Sequence, residues 1–324
     1  MPEPVPPVLT GAVPLAHVER EGTVESVHLG TVAVRDAGGR PCGPERGDPD
    51  TPFLPRSALK PIQAVALLRA GLALDGELLA LACGSHSGEP AHVDGVRRIL
   101  AGAGLTADDL DNTPDLPLGV DAAAAARAAG TAPAPLLQNC SGKHAGMLAA
   151  CVAAGWPVRG YREPHHPLQR LVADTVADLT GSAPFTTTVD GCGAPLFGST
   201  PAGLARAFAR IAVAEPGTPE GRVAAALRRH PWWVGGTGRS VTALATAVPG
   251  LLVKDGAEGV LGAALPDGRA LAVTVLDGSP RPLPVVAGAV LDALGAGTPA
   301  LAAATRVEVL GHGRPVGSVR AVLS

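Results

Sequence analysis

Strand-forming runs lie at the two ends of this chain and helical periods fill its middle, a separation that favours one sheet assembled from both ends with a helical lobe inserted. Residues 23–27 and 30–35 are β-branched runs around His28-Leu29-Gly30 and read as an antiparallel pair or one bent strand. Residues 36–52, rich in Gly, Pro and charge, read as a loop. Near the other end, residues 259–265 and 269–276 flank Pro266-Asp267-Gly268, which has the chemistry of a hairpin turn. Short Val-rich pieces around Gly311-His312-Gly313 are expected to close the sheet edge. Between the strands, apolar residues recur with a helical period over residues 62–70, 91–103, 122–129, 142–154, 168–179, 202–213 and 221–229, and a further helix is expected over 284–294. The expected architecture is α+β, one domain spanning residues 1–324 with two packed lobes. Its antiparallel sheet comes from about 10–50 and 245–324, and its mainly helical region from about 55–245.

The chain has 324 residues, 46% of them apolar, enough for a sizeable core. A net charge of −3 with acids and bases interspersed gives no surface for nucleic acid or anionic lipid. The start, Met1-Pro2-Glu3-Pro4-Val5-Pro6-Pro7, lacks a basic and apolar leader, and no segment reaches the length of a membrane span, so a cytoplasmic protein is expected. Five cysteines in so long a chain suit reduced thiols better than a disulfide scaffold. Of the 26 basic side chains only three are lysine: Lys60, Lys143 and Lys254. Arginine stays protonated at any working pH, whereas a buried lysine can give up its proton, so the lysines that a bias toward arginine has spared are candidates for a base or a metal ligand.

Each lysine sits in a distinctive setting. In Arg56-Ser57-Ala58-Leu59-Lys60, a serine and a lysine three apart share one face of a helical or 3₁₀ turn. Pro61 has no N–H and is tolerated only in a first turn, which places the start of the helix near Ser57 or Ala58 and Ser57 beside free backbone donors. There Ser57 is a candidate nucleophile and Lys60 its base, with Arg56 adding positive charge; the same four residues also describe a capping serine and a solvated lysine. Cys83-Gly84-Ser85-His86-Ser87-Gly88-Glu89-Pro90 follows an apolar run, and its density of hydroxyl, imidazole and carboxylate groups suits either substrate binding or a turn that caps the next helix. Lys254-Asp255-Gly256 resembles the Lys-Thr-Gly strand of penicillin-recognising enzymes. Asn139-Cys140-Ser141-Gly142-Lys143-His144 enters a helix, with Asp190-Gly191-Cys192-Gly193 farther along. Cys140 and Lys143, at i and i+3, can face one point, and with a second thiolate and a water they could hold zinc; two ordinary buried thiols fit as well.

As an ordered set these motifs resemble the L-asparaginase II family, the rhizobial-type enzymes similar in fold to serine β-lactamases and glutaminases. The resemblance also rests on Val24-Glu25-Ser26-Val27-His28, Pro61-Ile62-Gln63-Ala64, His166-Pro167-Leu168-Gln169 and Ala257-Glu258-Gly259. It implies hydrolysis of L-asparagine to L-aspartate and ammonia through two Ser-Lys tandems, Ser57 with Lys60 and Ser85 with Lys254. Arg56, His86 and Asp190 become candidate substrate-binding side chains. The resemblance further implies zinc held by Cys140, Lys143 and Cys192, aiding substrate binding rather than activating water, and a homodimer. Asp255 stands where penicillin-recognising enzymes carry threonine, and no clear Ser-Asp-Asn element is present, which speaks against β-lactam recognition. The alternatives are another Ser-Lys amidase, such as a glutaminase or β-lactamase-like hydrolase, and an amino-acid-binding protein without turnover.

Overall fold

The computed structural model describes residues 11–323; the Met1–Pro7 start read above for a leader lies outside them, as does Ser324. The chain divides into two compact units. One gathers the chain through Ala58, Gly198–Val213 and Ala243 onward, and the other holds Leu59–Phe197 and Ala214–Thr242. No helix among the described residues is long and apolar enough to cross a membrane.

The first unit is built on a seven-stranded antiparallel sheet. Its strands are β1 (Val13–Arg20), β2 (Thr23–Arg35), β5 (Leu252–Gly256), β6 (Val260–Ala264), β7 (Ala270–Val275), β8 (Glu308–Gly311) and β9 (Arg314–Ala321); β3 and β4 form a separate pair in the second unit. The order is β5-β6-β7-β2-β1-β9-β8, so strands from both chain ends interleave at the centre. Residues 23–35 form a single strand, the bent-strand alternative, whose partner β1 carried no sequence signal. Glu21 and Gly22, both at positive φ (46° and 81°), make the tight turn between β1 and β2 that matches the natural strand twist. Every residue from Gly30 to Arg35 is buried, so both faces of that half-strand are covered. Helix Pro201–Ala212 packs on β2, β6 and β7, and helix Leu283–Leu291 on β1, β6, β7 and β9. The Pro201–Ala212 helix therefore belongs with the sheet and not with the helical lobe where its sequence position had placed it.

The second unit is helical. Helices Lys60–Arg69, Gly76–Ala82, Pro90–Gly102, Ser141–Ala154, Pro167–Thr180 and Pro219–Arg229 pack around a core that includes Ile62, Val65, Leu67, Leu79, Val96, Met147, Leu148, Val172 and Leu227. The Lys60–Arg69 helix is buried on all sides except at Arg69, which is why it lacks a polar face. A short hairpin, β3 (Thr187–Val189) with β4 (Pro195–Phe197), carries Asp190 to Gly193 at its turn. That hairpin and the Ser240–Ala247 helix had no clear signature in the sequence, whereas the apolar run of residues 78–82, which suits a strand or a buried helix end, is the end of the Gly76–Ala82 helix.

Candidate active site

Pro61 shapes the entry to the first candidate motif, which takes the 3₁₀ form of the two expected, with the α-helix starting later than Ser57 or Ala58. The α-helix begins at Lys60, and Arg56–Leu59 is a 3₁₀ turn. An α-helix running through Ser57 would need the N–H of residue 61 to meet the carbonyl of residue 57, and proline has none, so the preceding residues tighten into i to i+3 bonding. Ser57 thus lies inside this turn, one residue after Arg56, whose φ of 53° is left-handed and strained for a side-chain-bearing residue.

In the same unit, β5 passes close to this turn. A Cβ added to Gly256 would lie 2.5 Å from the Pro55 carbonyl oxygen and 3.3 Å from the Ala58 nitrogen, so only glycine allows the approach. β5 brings Lys254, fully buried, at the edge of the sheet; its ammonium donates to the carboxylate and carbonyl of Asp255. The Asp255 that departs from the penicillin-enzyme pattern is therefore the partner of that lysine. Arg56 pairs with Glu258 at 3.8 Å.

In the helical unit, Lys60 is 1% exposed, and its Nζ donates to the Gly84 carbonyl at 2.5 Å and to Ser85 Oγ at 3.0 Å. The tandem inside this unit joins Lys60 with Ser85, a combination that the two expected tandems had divided between them. The loop around Ser85 is held by backbone bonds: Ser85 N to Val234 O, His86 N to Asn139 O and Ser87 N to Gly235 O. His86 is fully buried. Gly88 N–H donates to its Nδ1 at 3.1 Å, so the proton lies on Nε2, which donates to Ser141 Oγ at 2.9 Å. With both nitrogens engaged, the imidazole ties the Ser85 loop to the start of the Ser141–Ala154 helix.

Burial first, then the positive charges of His92 and Lys60, hold His86 well below its ordinary value of 6.5. A base whose pKa is depressed by folding contributes stability that is complete above 6.5 and drains away as pH falls below it, because the unfolded chain takes up a proton that the native imidazole refuses. Unfolding free energy should thus fall by up to about 1.4 kcal/mol per pH unit on this account below pH 6.5. Denaturant midpoints at pH 7 and pH 5 measure it, and His86→Gln should flatten the difference by one proton; an unchanged slope would refute the assignment.

Cys140 and Cys192, 4% and 2% exposed, share one buried cluster, and Lys143 Nζ donates to Cys192 Sγ at 3.1 Å. Hydrogen bonding to Cys192, opposed by burial and aided by Lys60 and Lys143, holds the Cys140 thiol well below its ordinary range. Burial works against the Lys143 charge, yet Cys192, Cys140 and Asp190 outweigh it and raise its pKa. Zinc bonds sulfur at about 2.3 Å and nitrogen at about 2.0 Å, which sets tetrahedral donors about 3.5 Å apart. The 3.1 Å between Lys143 Nζ and Cys192 Sγ is close to that spacing, and Cys140 lies in the same buried cluster as Cys192, a donor set of soft thiols and an amine whose chemistry suits zinc. Among the described residues no three His, Cys, Asp or Glu side chains converge on a metal position, so any ion here needs Lys143 as a third ligand.

A family model described as L-asparaginase II matches residues 16–321, nearly the whole chain. The chain belongs to the L-asparaginase II family. No curated protein matches this family member with significance. Two solved structures are similar to it at low identity. One is Mglu "in its native form in the presence of 4.3M NaCl", 18% identical over 79% of this chain and 59% of that one, with a TM-score of 0.35. The other is "EstCE1, a hydrolase with promiscuous acyltransferase activity", 14% identical over 89% of this chain and 94% of that one, with a TM-score of 0.38. The chain thus spans 59% of the length of Mglu.

Several side chains of this L-asparaginase II family member were given no role by the sequence, although Asn139, Ser141 and His144 lie within the motif that carries Cys140 and Lys143. Ser141 receives the His86 proton, Asn139 Oδ1 meets Cys140 Sγ at 2.9 Å, and Tyr161 OH lies 2.7 Å from His144 Nδ1. Tyr161 was detectable in principle: it is the one tyrosine in a chain with 2% aromatic residues, and the scarcity argument that singled out lysine applies equally to it.

Proposed function

We propose that this protein hydrolyses L-asparagine to L-aspartate and ammonia through a covalent Ser-Lys mechanism on a serine β-lactamase-like framework. The observation that carries the reading is the buried hydrogen bond from Lys60 Nζ to Ser85 Oγ at 3.0 Å. Ser57, three residues before Lys60 along one helical run, attacks the carboxamide carbon of asparagine while the Lys60 amine takes its proton. Lys60, now an ammonium bonded to Ser85, passes a proton on through that hydroxyl to the departing amine, and ammonia leaves. Water then attacks the β-aspartyl ester, with the same pair handling its proton in reverse. Lys254 supplies positive charge and orients the amide, and Arg56 and Asp190 meet the polar groups of the substrate.

Cys140, Lys143 and Cys192 would hold zinc, with Lys143 binding as the neutral amine; the bound ion would aid substrate binding. Chelation is expected to raise KM for asparagine several-fold and to leave kcat within about twofold. Steady-state kinetics before and after metal removal measure this, and a collapse of kcat would contradict the role assigned to the ion. Ammonia release from asparagine and glutamine, with nitrocefin turnover alongside, tests the proposal as a whole. Asparagine turnover is expected to dominate; glutamine or nitrocefin as the preferred substrate, or binding without turnover, would overturn it.

A further inference from the structure

We propose that Tyr161 and Arg162 form a two-armed bracket that fixes Cys192 and Asp190 against Lys143, which makes Arg162 a positioning residue of the site. Both arms start from Asp111. Tyr161, 1% exposed, accepts the Asp111 backbone N–H at its hydroxyl at 3.3 Å, and that hydroxyl meets His144 Nδ1 at 2.7 Å. His144 follows Lys143 on the Ser141–Ala154 helix. Arg162 donates from Nε to the Asp111 carboxylate at 2.9 Å and from Nη1 to the Gly193 carbonyl at 3.0 Å. Gly193 follows Cys192. One arm therefore rests on the helix that carries Lys143 and the other on the turn that carries Cys192, and between them lies the 3.1 Å contact from Lys143 Nζ to Cys192 Sγ.

The hairpin could not set this position unaided. β3 and β4 are three residues each, β3 is exposed throughout, and an isolated pair of strands this short has little stability of its own. Its turn is held from outside at three consecutive carbonyls: Thr113 Oγ1 donates to Gly191 O at 2.8 Å, Thr113 N to Cys192 O at 3.4 Å, and Arg162 Nη1 to Gly193 O. Gly193 has a φ of +83°, and a Cβ there would lie 2.2 Å from Arg162 Nη1, so glycine is what admits the guanidinium. The ion pair of Arg162 with Asp111 is largely exposed and adds little to global stability. Its effect is local, and the function assigned to it rests on the reading that Asp190 and the Cys140-Lys143-Cys192 cluster serve substrate binding.

The test is alkylation of the full-length protein by N-ethylmaleimide, followed cysteine by cysteine by peptide mass spectrometry, together with asparagine kinetics. Arg162→Met is expected to speed labelling of Cys192 about tenfold, as loss of one charge-assisted hydrogen bond allows. Cys83 and Cys151, buried elsewhere in the same unit, should keep their rates. Arg162→Lys, able to reach one acceptor but not both, should fall between. Asp111→Asn should reproduce the selective increase and serves as the second variant if Arg162→Met does not fold. In these variants KM should rise several-fold with kcat retained. Unchanged Cys192 labelling, or equal acceleration at all buried cysteines, would overturn the bracket. Selective labelling with unchanged KM would support the bracket and remove the substrate-binding role of the turn.

Discussion

Ser57→Ala is expected to lower kcat for ammonia release from asparagine by about 10,000-fold or more while the protein remains folded. The substitution removes one oxygen from a 3₁₀ turn, and the helix that follows is anchored independently by Ile62, Val65 and Leu67, each fully buried. The left-handed Arg56 immediately before Ser57 is the kind of local strain that persists where surrounding structure fixes a reactive group, and the close passage of Gly256 helps to fix it here. Rapid quenching with asparagine should trap an aspartyl ester on the peptide containing Ser57. Activity of Ser57→Ala within tenfold of wild type would reject Ser57 as nucleophile. An adduct on Ser85 instead would exchange the roles of the two serines, since Ser85 is the hydroxyl bonded to Lys60.

The second large effect concerns the base. Lys60→Arg keeps a positive charge yet is expected to cost about 1,000-fold in kcat, because a guanidinium cannot give up its proton near neutrality. The site is 1% exposed, so the bulkier fork should also cost about 1–3 kcal/mol of stability through overpacking. Activity is therefore to be measured well below the melting temperature of the variant, with Lys60→Met as companion to separate loss of the amine from strain. More than a tenth of wild-type kcat in Lys60→Arg would exclude Lys60 as base.

Much of the fold was legible because its signals are local. The hairpin of β6 and β7 announced itself through Pro266-Asp267-Gly268, and the helices at residues 142–154 and 168–179 through their apolar period. β1 was missed because Val13–Arg20 reads VPLAHVER, where proline, histidine and two charges break the alternation; pairing with β2 and β9 on either side makes it a strand. The β3 and β4 hairpin was missed because its placement depends on Thr113 and Arg162, distant in sequence. Within the site, the lysines stood out by scarcity, but their partners did not. That Lys60 meets Ser85, and that Asp255 meets Lys254, follows from how helices and strands place those residues, which no spacing of letters encodes. The surroundings of His86 were hidden for a similar reason: its burial and the hydrogen bond at each ring nitrogen come from Gly88 and the distant Ser141.

The interleaving of strands from both chain ends dictates an order of events during synthesis. Of the seven strands of this sheet β1 and β2 are made first, but β2 waits for β7 and β1 for β9, the last of the seven, some 300 residues later. Until then the nascent hairpin presents unpaired edges, and loops of that length close slowly. Leu59–Phe197 and Ala214–Thr242 are complete before any of β5 to β9 leaves the ribosome. The bond between Lys60 and Ser85 and the bracket around Cys192 can therefore close while the sheet is unfinished, and the late step on which a nascent molecule's fate depends is the closing of the sheet.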